Sequence, residues 1–140
     1  MTKMFWVPGI PQPQARPRFG QGRVYSPKTP WHQAVYLIAR QHRPRPPLKC
    51  PIKVYARFHL PKTKRAFSAI SRFWSCASPD LDNLAKSILD SMTRAQWWAD
   101  DALVVELHCE KVVAESADLS KPGVRVIVEE LAHRQWNCSP

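Results

Sequence analysis

The chain has 140 residues, of which 44% are hydrophobic and 23% charged, and its formal net charge is +10. This length suits one domain with a buried core, residues 1–140, and is too short for two. No apolar run approaches the roughly 18 residues that a membrane span requires, and prolines interrupt the N-terminal apolar stretch where a signal peptide needs its core. We therefore expect a single cytoplasmic domain that contacts no membrane.

The charges are divided unevenly along the chain. Residues 1–79 contain 15 Lys and Arg and no Asp or Glu, whereas residues 80–140 contain 6 Lys and Arg and all 11 acids, which gives +15 and −5. Because Lys and Arg release condensed counterions when they neutralise phosphates, this pattern favours a nucleic-acid partner for the first part. The alternative is an ordinary basic surface. The four cysteines form no C-x-x-C pair, so we expect neither a zinc site nor a redox motif.

The first predicted strand is Phe5–Ile10, which neighbouring prolines close. Arg16–Lys28 mixes Arg, Gly and Pro with aromatic residues, has neither helical nor strand periodicity, and is interpreted as a basic loop. From Pro30 to Gln41 the apolar residues recur at helical spacing, and the following HRPRPP segment ends this predicted helix.

Ile52–Leu60, IKVYARFHL, alternates apolar and polar side chains, which predicts a half-exposed strand with a basic outer face. Pro61–Ser78 is interpreted as a loop in which basic and aromatic residues are mixed, as suits phosphates and exposed bases. The clearest element is a helix from Leu81 to Met92, because its apolar residues fall at i, i+3, i+4, i+7, i+8 and i+11.

The last two predicted strands are Leu103–Val113 and Val124–Glu130, which are rich in valine and separated by turn-forming residues. We expect them to pair as a hairpin. The order of elements predicts an α+β fold in which two α-helices pack on one face of a small mixed β-sheet of about four strands.

The stretch SPDLDNLAKSILDSM contains the residues most suggestive of chemistry. Asp82, Lys86 and Asp90 are spaced i, i+4 and i+8 and share a helical stripe, and Asp80 precedes it. Acids in a first helical turn also complement the helix dipole, so this pattern alone is weak. A second pair, Asp100 and Asp101, precedes a strand that should return beside the helix, and the two pairs could then meet.

Two or three carboxylates that are open to a phosphate form the kind of site that Mg²⁺ selects, because hard cations prefer oxygen ligands and retain several waters. A metal held in this way supports phosphodiester hydrolysis by polarising the phosphate and activating water. A neighbouring lysine can stabilise the charge that develops on the phosphate.

PDLDNLAKSILDSM followed by WWADDALVVELHCEK resembles the RusA family of Holliday junction resolvases, which are common in bacteriophages and prophages. The family pattern is D-x-D-N-L-x-K, then D, then W-x-D-D-x-x-V-V. ARPRFGQGRVYSPK, IKVYARFHLPK and VRVIVEE also resemble family segments. The chain departs from the pattern at Ser78, where members often have Lys or Arg, and at Leu103, where a polar residue is common.

The resemblance implies a metal-dependent endodeoxyribonuclease that acts as a homodimer and resolves four-way DNA junctions with paired symmetric nicks in recombination and repair. It makes Asp80, Asp82 and Asp101 the metal-binding catalytic acids and Lys86 the catalytic lysine, with Asp100 as a further metal ligand and Asp90 as a weaker candidate. The expected cofactor is Mg²⁺ or Mn²⁺, and no nucleotide cofactor is expected. The host would be a bacterial cell, with the protein encoded by a phage or prophage.

Basic residues on two stretches are the predicted DNA contacts. They are Arg16, Arg18, Arg23, Lys28, Lys62, Lys64, Arg65 and Arg72.

Two alternatives remain open at this point. A related nuclease that cuts flaps or forks would use the same carboxylates and metal. A non-catalytic DNA-binding protein would use the basic part of the chain alone.

Overall fold

A computed structural model describes residues 1–14, 18–20, 22–25, 29–63, 71, 73–114 and 121–131, and for residues 18–20 and 23–25 it describes the backbone alone. The elements in chain order are β1 (Thr2–Pro8), β2 (Arg18–Gly20), β3 (Arg23–Tyr25), α1 (Pro30–His42), β4 (Ile52–Leu60), α2 (Leu81–Arg94), a short 3₁₀ turn (Asp101–Leu103), β5 (Val104–Val113) and β6 (Gly123–Glu130).

Four of these strands form one mixed sheet in the order β1-β6-β4-β5. The β1–β6 and β4–β6 pairs are antiparallel, and β4 and β5 are parallel. A parallel pair needs a crossover connection, which α2 supplies between β4 and β5. The predicted α+β fold, with a four-stranded mixed sheet and two helices, is therefore confirmed.

One face of the sheet carries the hydrophobic core. Strand register places Phe5 beside Val126 and Val126 beside Ala56, and all three side chains are buried. Both helices cover this face, and burial of one Leu or Ile side chain stabilises the fold by about 1.5–3 kcal/mol. The helical core residues are Trp31, Val35 and Ala39 of α1 and Leu84, Ile88 and Met92 of α2.

The predicted hairpin of the last two strands is wrong, because β4 lies between β5 and β6. β6 has three buried valines on one face and pairs on both sides, with β1 and β4. β5 carries Glu106, His108 and Glu110 and lies at an edge of the sheet, where charged residues discourage further strand pairing. The closeness of β5 and β6 along the chain therefore suggested the wrong partner for β5, which pairs with β4.

Interpretation of Arg16–Lys28 as a loop is also wrong in part. The backbone of β2 and β3 forms a short antiparallel pair, with Arg18 opposite Tyr25 and Gly20 opposite Arg23. Gly22 lies in the turn with φ 74°, a left-handed conformation that glycine adopts without a steric penalty. The six strand residues are too few to show a periodic pattern.

Smaller differences concern the ends of elements. β1 is displaced towards the N-terminus relative to the predicted Phe5–Ile10, because Gly9, with φ 119°, follows directly after the strand. α2 continues two residues beyond the predicted Met92. Neither helix in the described part of the chain combines the length and apolar character needed to cross a membrane.

Candidate active site

The first two predicted acids lie at the N-terminal end of α2. Asp80 occupies the N-cap position, and its backbone carbonyl accepts a hydrogen bond of 3.2 Å from the amide of Leu84. An aspartate at this position ordinarily caps the helix with its side chain, but the Asp80 side chain makes no such bond. Asp82 follows in the first turn and is exposed. We call Asp80 and Asp82 the cap acids.

The helix dipole acts on the cap acids directly. The amides at a helix N-terminus carry partial positive charge, which attracts the negative charge of nearby carboxylates. The carboxylate of Asp80 is therefore held beside a positive helix end without being used as a cap. This arrangement leaves its oxygens available to an external ligand.

Lys86 and Asp90 continue the same stripe along α2. Lys86 is exposed one turn beyond Asp82, and Asp90 is half-buried one turn further. At 1.5 Å per residue, the eight residues from Asp82 to Asp90 span about 12 Å. The exposed ammonium of Lys86 thus lies between acidic groups at the two ends of the helix.

The connection after α2 is anchored by two buried tryptophans. Trp97 donates its indole N–H to the carbonyl oxygen of Ala39 in α1 at 2.6 Å. Trp98 donates its indole N–H to the hydroxyl of Thr93 at 2.9 Å. Backbone hydrogen bonds also join Leu48 to Trp97 and Ala99. Asp100 and Asp101, which follow Ala99, are exposed, and these contacts fix the backbone that leads to them.

The pKa values of Asp100 and Asp101 depend on each other, and that of Asp101 depends also on Asp90 of α2. Asp100 accepts a hydrogen bond of 2.8 Å from the amide of Ala102, which lowers the pKa of Asp100. A hydrogen bond with Asp100 raises the pKa of Asp101, and the negative charges of Asp100 and Asp90 raise it further. Asp101 consequently lies within electrostatic range of Asp90. We call Asp90, Asp100 and Asp101 the connection acids.

The chain places its predicted acids in two separate groups rather than one. In the described part of the chain, no three side chains of His, Cys, Asp or Glu are grouped closely enough to hold a metal ion. The carboxylate donors nevertheless have the chemistry that Mg²⁺ and Mn²⁺ prefer. The cap acids or the connection acids could each supply two carboxylate ligands, with waters and a phosphate completing the coordination.

A lysine that sequence reasoning did not select lies beside the cap acids. The Lys111 ammonium donates hydrogen bonds to the carbonyl oxygens of Ala77, at 2.8 Å, and Pro79, at 2.9 Å. Lys111 is on β5, far from Asp80 in sequence, and no motif links them. The helical stripe includes Asp90, but the proximity of Asp90 to Asp101 depends on how the connection folds.

The basic segments begin close to the cap acids. The amide of Gln14 donates a hydrogen bond of 3.2 Å to the carbonyl of Asn83, in the first turn of α2. Gln14 leads towards the hairpin that contains Arg18 and Arg23, for which the structure describes the backbone alone. The start of the first basic segment is thus attached to the acidic end of the helix.

The second basic segment begins at the end of the sheet that lies near the cap acids. Leu60 of β4 pairs with Val113 of β5, two residues beyond Lys111, and Lys62 follows Leu60 as an exposed residue. The predicted contacts Arg16, Lys28, Lys64, Arg65 and Arg72 lie outside the described residues.

Comparison with known proteins gives a consistent result. The family model described as "Endodeoxyribonuclease RusA" matches residues 8–129. The uncharacterized protein YqaN of Bacillus subtilis is 28% identical over 142 aligned positions, which cover 91% of this chain and 96% of that protein.

Two relatives named as crossover junction endodeoxyribonucleases match shorter stretches. One, from Lactococcus phage r1t, is 44% identical over 39 residues, 28% of this chain and 30% of the phage protein. The other, RusA of Escherichia coli, is 34% identical over 65 residues, 46% of this chain and 43% of the relative. These alignments therefore span less than half the length of the two named nucleases.

Proposed function

Because the chain belongs to the RusA endodeoxyribonuclease family, we propose that it is a metal-dependent nuclease that cuts four-way DNA junctions by paired nicks. The names of the phage and Escherichia coli relatives support this activity. We also propose that it acts in the bacterial cytoplasm during recombination or repair, and that it is encoded by a phage or prophage. The phage relative agrees with this origin.

The structural observation that best supports the proposal is that the Asp80 side chain makes no capping hydrogen bond. This carboxylate stands at a helix N-terminus without capping it, whereas an Asp selected for helix stability would normally make that bond. A carboxylate left available in this way can bind a cation. The exposed side chain of Asp82 is the second donor on the same helical end.

We propose that Mg²⁺ or Mn²⁺ is held by Asp80, Asp82 and Asp101, with Asp100 as an additional ligand. When bound, such a cation polarises the scissile phosphate and lowers the pKa of a coordinated water. A hydrogen bond with Asp100, and then the negative charges of Asp100 and Asp90, raise the pKa of Asp101, and a bound cation would offset those charges.

Lys86 is proposed to stabilise negative charge on the phosphate as its bond to the leaving oxygen breaks. Its side chain is exposed on the same stripe of α2 as Asp82 and Asp90, and a positioned cation of this kind typically contributes a factor of about 10²–10³ to the rate. A lysine at this place also offsets repulsion between the acids and the approaching DNA backbone.

The DNA is proposed to lie across the end of the sheet from which both basic segments leave. Arg16, Arg18, Arg23 and Lys28 would hold one part of the backbone, and Lys62, Lys64, Arg65 and Arg72 another. Attachment of Gln14 to the first turn of α2 supports this placement, since it brings the first segment to the cap acids. Phosphate contacts of this type fix register without reading sequence.

A homodimer is proposed as the working unit. Two nicks of like polarity require two sites, and a two-fold dimer matches the symmetry of a four-way junction. The separation of the two acid groups gives a second reason. A dimer in which the cap acids of one copy face the connection acids of its partner would bring the proposed ligands together.

Substrate choice is tested by competition among branched and linear DNAs. Purified protein with Mg²⁺ should cut a labelled four-way junction at symmetric positions and leave excess linear duplex uncut. If a flap or a fork is cut in preference to the junction, that DNA is the substrate and the proposed junction specificity is wrong. Binding without cutting in either Mg²⁺ or Mn²⁺ would support a non-catalytic DNA-binding protein and overturn the proposed activity.

A further inference from the structure

Lys111 is a charged side chain on the helix-covered side of the sheet. It pairs in register with Phe58, whose side chain is fully buried in the core. Within the described part of the chain, the partners of its ammonium are two backbone carbonyl oxygens, of Ala77 and Pro79. A lysine placed there for solubility would point its ammonium into water instead.

The residues that Lys111 contacts belong to a segment fastened along the edge of β5. The amide of Ser75 donates to the carbonyl of Lys111 at 3.1 Å, and the amide of Val113 donates to the carbonyl of Phe73 at 2.8 Å. We call the eight residues 73–80 the strap. Backbone bonds hold its first part, and the Lys111 side chain holds its last part.

The strap ends at Asp80. The Asp80 carbonyl is held on the helix side by the amide of Leu84, and its side chain makes no cap hydrogen bond. The backbone of the strap is therefore the second constraint on where its carboxylate lies. Lys111 fixes the carbonyls one and three residues before Asp80. Hydrogen bonds from a charged donor are stronger than those between neutral groups, so the two bonds from Lys111, which we call the clamp, restrict the strap.

We propose that Lys111 is a positioning residue of the nuclease site, which holds Asp80 in place through the strap. The inference rests on the proposed function, because it assigns Asp80 to the reacting site. It adds a residue that contacts neither metal nor DNA. The expected consequence is a site whose metal dependence and rate change when the clamp is removed, although DNA affinity does not.

Two substitutions and a matched control separate these effects. Lys111→Met keeps the length of the stem and removes all three N–H donors, and Lys111→Arg restores donors in another geometry. Lys53→Met is the control, because Lys53 loses the same charge on the opposite face of the sheet, where it pairs with Glu106 at 3.9 Å. Cleavage rate at saturating junction, Mg²⁺ dependence, junction affinity without metal and melting temperature are measured for all.

Lys111→Met should lower the rate at saturating junction by roughly 10- to 100-fold, the scale of effect that a misplaced group produces. It should also raise the Mg²⁺ concentration for half-maximal cutting several-fold and leave junction affinity unchanged. Lys111→Arg should recover part of both losses, and Lys53→Met should resemble wild type. If Lys111→Met does not fold, an altered Mg²⁺ dependence in Lys111→Arg provides the same test.

Hydrogen exchange gives a readout that does not depend on cleavage. The amides of Ser75 and Leu84, which donate to the carbonyls of Lys111 and Asp80, should exchange faster in Lys111→Met, while those of α1 keep wild-type rates. Unchanged exchange in the strap, or a lower melting temperature with normal Mg²⁺ dependence, would overturn the positioning role. Weaker junction affinity with a normal saturated rate would make Lys111 a DNA contact instead. A wild-type chain that cuts no branched DNA would overturn the proposed function separately.

Discussion

The two ends of α2 hold their acids in different electrostatic surroundings. At the N-terminal end, Asp80 and Asp82 lie beside the positive end of the helix dipole and the attached start of a basic segment. At the other end, a hydrogen bond with Asp100, and then the negative charges of Asp100 and Asp90, raise the pKa of Asp101. The cap acids thus lie beside positive partial charge, whereas Asp101 lies beside negative charge.

This difference indicates what each group needs from a ligand. The cap acids already lie beside positive partial charge from the helix end, and we expect them to bind the metal that arrives with the DNA. A cation at the connection acids would offset the negative charges of Asp100 and Asp90 beside Asp101. We therefore expect both groups to be required for cutting.

The largest effect should follow from removal of a single proposed metal ligand in either group. Asp80→Asn, Asp82→Asn and Asp101→Asn should each reduce cutting by about three orders of magnitude, since a ligand carboxylate is removed. Junction binding should persist, because basic side chains hold the backbone. Gel-based cleavage and binding assays measure both quantities. A mutant that cuts at nearly the wild-type rate would remove that residue from the site.

Replacement of the lysine between the two groups should have a smaller effect. Lys86→Ala should lower the cutting rate by roughly 100-fold and leave the melting temperature near wild type, because the side chain is exposed. Lys53→Ala, on the opposite face of the sheet, should cut normally. Early melting of Lys86→Ala with a proportionate loss of activity would assign Lys86 to the fold and not to the chemistry.

Removal of the basic segments' charges should weaken binding rather than chemistry. Alanine at Arg16, Arg18 and Arg23, or at Lys62, Lys64 and Arg65, should flatten the salt dependence of junction binding. The log-log slope should fall by about one unit for each DNA phosphate that the variant no longer neutralises. Binding titrations at several salt concentrations check this. Slopes equal to wild type for both variants would place the DNA on another surface.

The outer face of the sheet offers the smallest effect and a contrast with both acid groups. Glu110 accepts hydrogen bonds from the hydroxyl of Tyr55 and from Arg57, the latter at 2.7 Å. Burial alone would raise the pKa of Glu110, but these bonds and the positive Arg57 outweigh it and lower that pKa. This carboxylate is satisfied by protein partners and should take no part in cutting.

Glu110→Gln should therefore cost roughly 1–2 kcal/mol of folding free energy at neutral pH and leave the cutting rate unchanged. Because the folded pKa is lowered, the stability contribution of Glu110 is present above its ordinary pKa and is lost as the pH falls through the folded value. Urea unfolding of wild type and Glu110→Gln measures the stability difference, which should be present at pH 7 and smaller in mild acid. A mutant as stable as wild type at pH 7 would contradict the role of this network.

Sequence reasoning predicted the elements better than their arrangement. The helix at Leu81 and the strand at Ile52 were found because one buried face imposes a regular period on the residues. The partner of β5 was not found, since pairing depends on contacts between distant segments. The short hairpin around Gly22 left too few residues for a pattern.

For the site, a local motif identified the acids but not their grouping. Asp82 and Lys86 are spaced i, i+4 on one helix, so their spacing predicts a common face, and Asp80 directly precedes that helix. The proximity of Asp101 to Asp90 depends instead on the anchoring of Trp97 and Trp98, and the Lys111 clamp depends on strand order. Neither could be read from neighbouring residues, because both join parts of the chain that only the fold brings together.

Subunit mixing tests most directly whether the two acid groups act together in one dimeric site. Asp80→Asn and Asp101→Asn are unfolded together, refolded as a mixture and assayed on a junction with Mg²⁺, with an Asp80→Asn and Asp82→Asn mixture as the control. If each site combines cap acids from one copy with connection acids from its partner, mixed dimers contain one intact site. We predict that the first mixture regains single nicks while the control stays inactive. Mixed dimers of the first pair that remain as inactive as either mutant alone would contradict this arrangement.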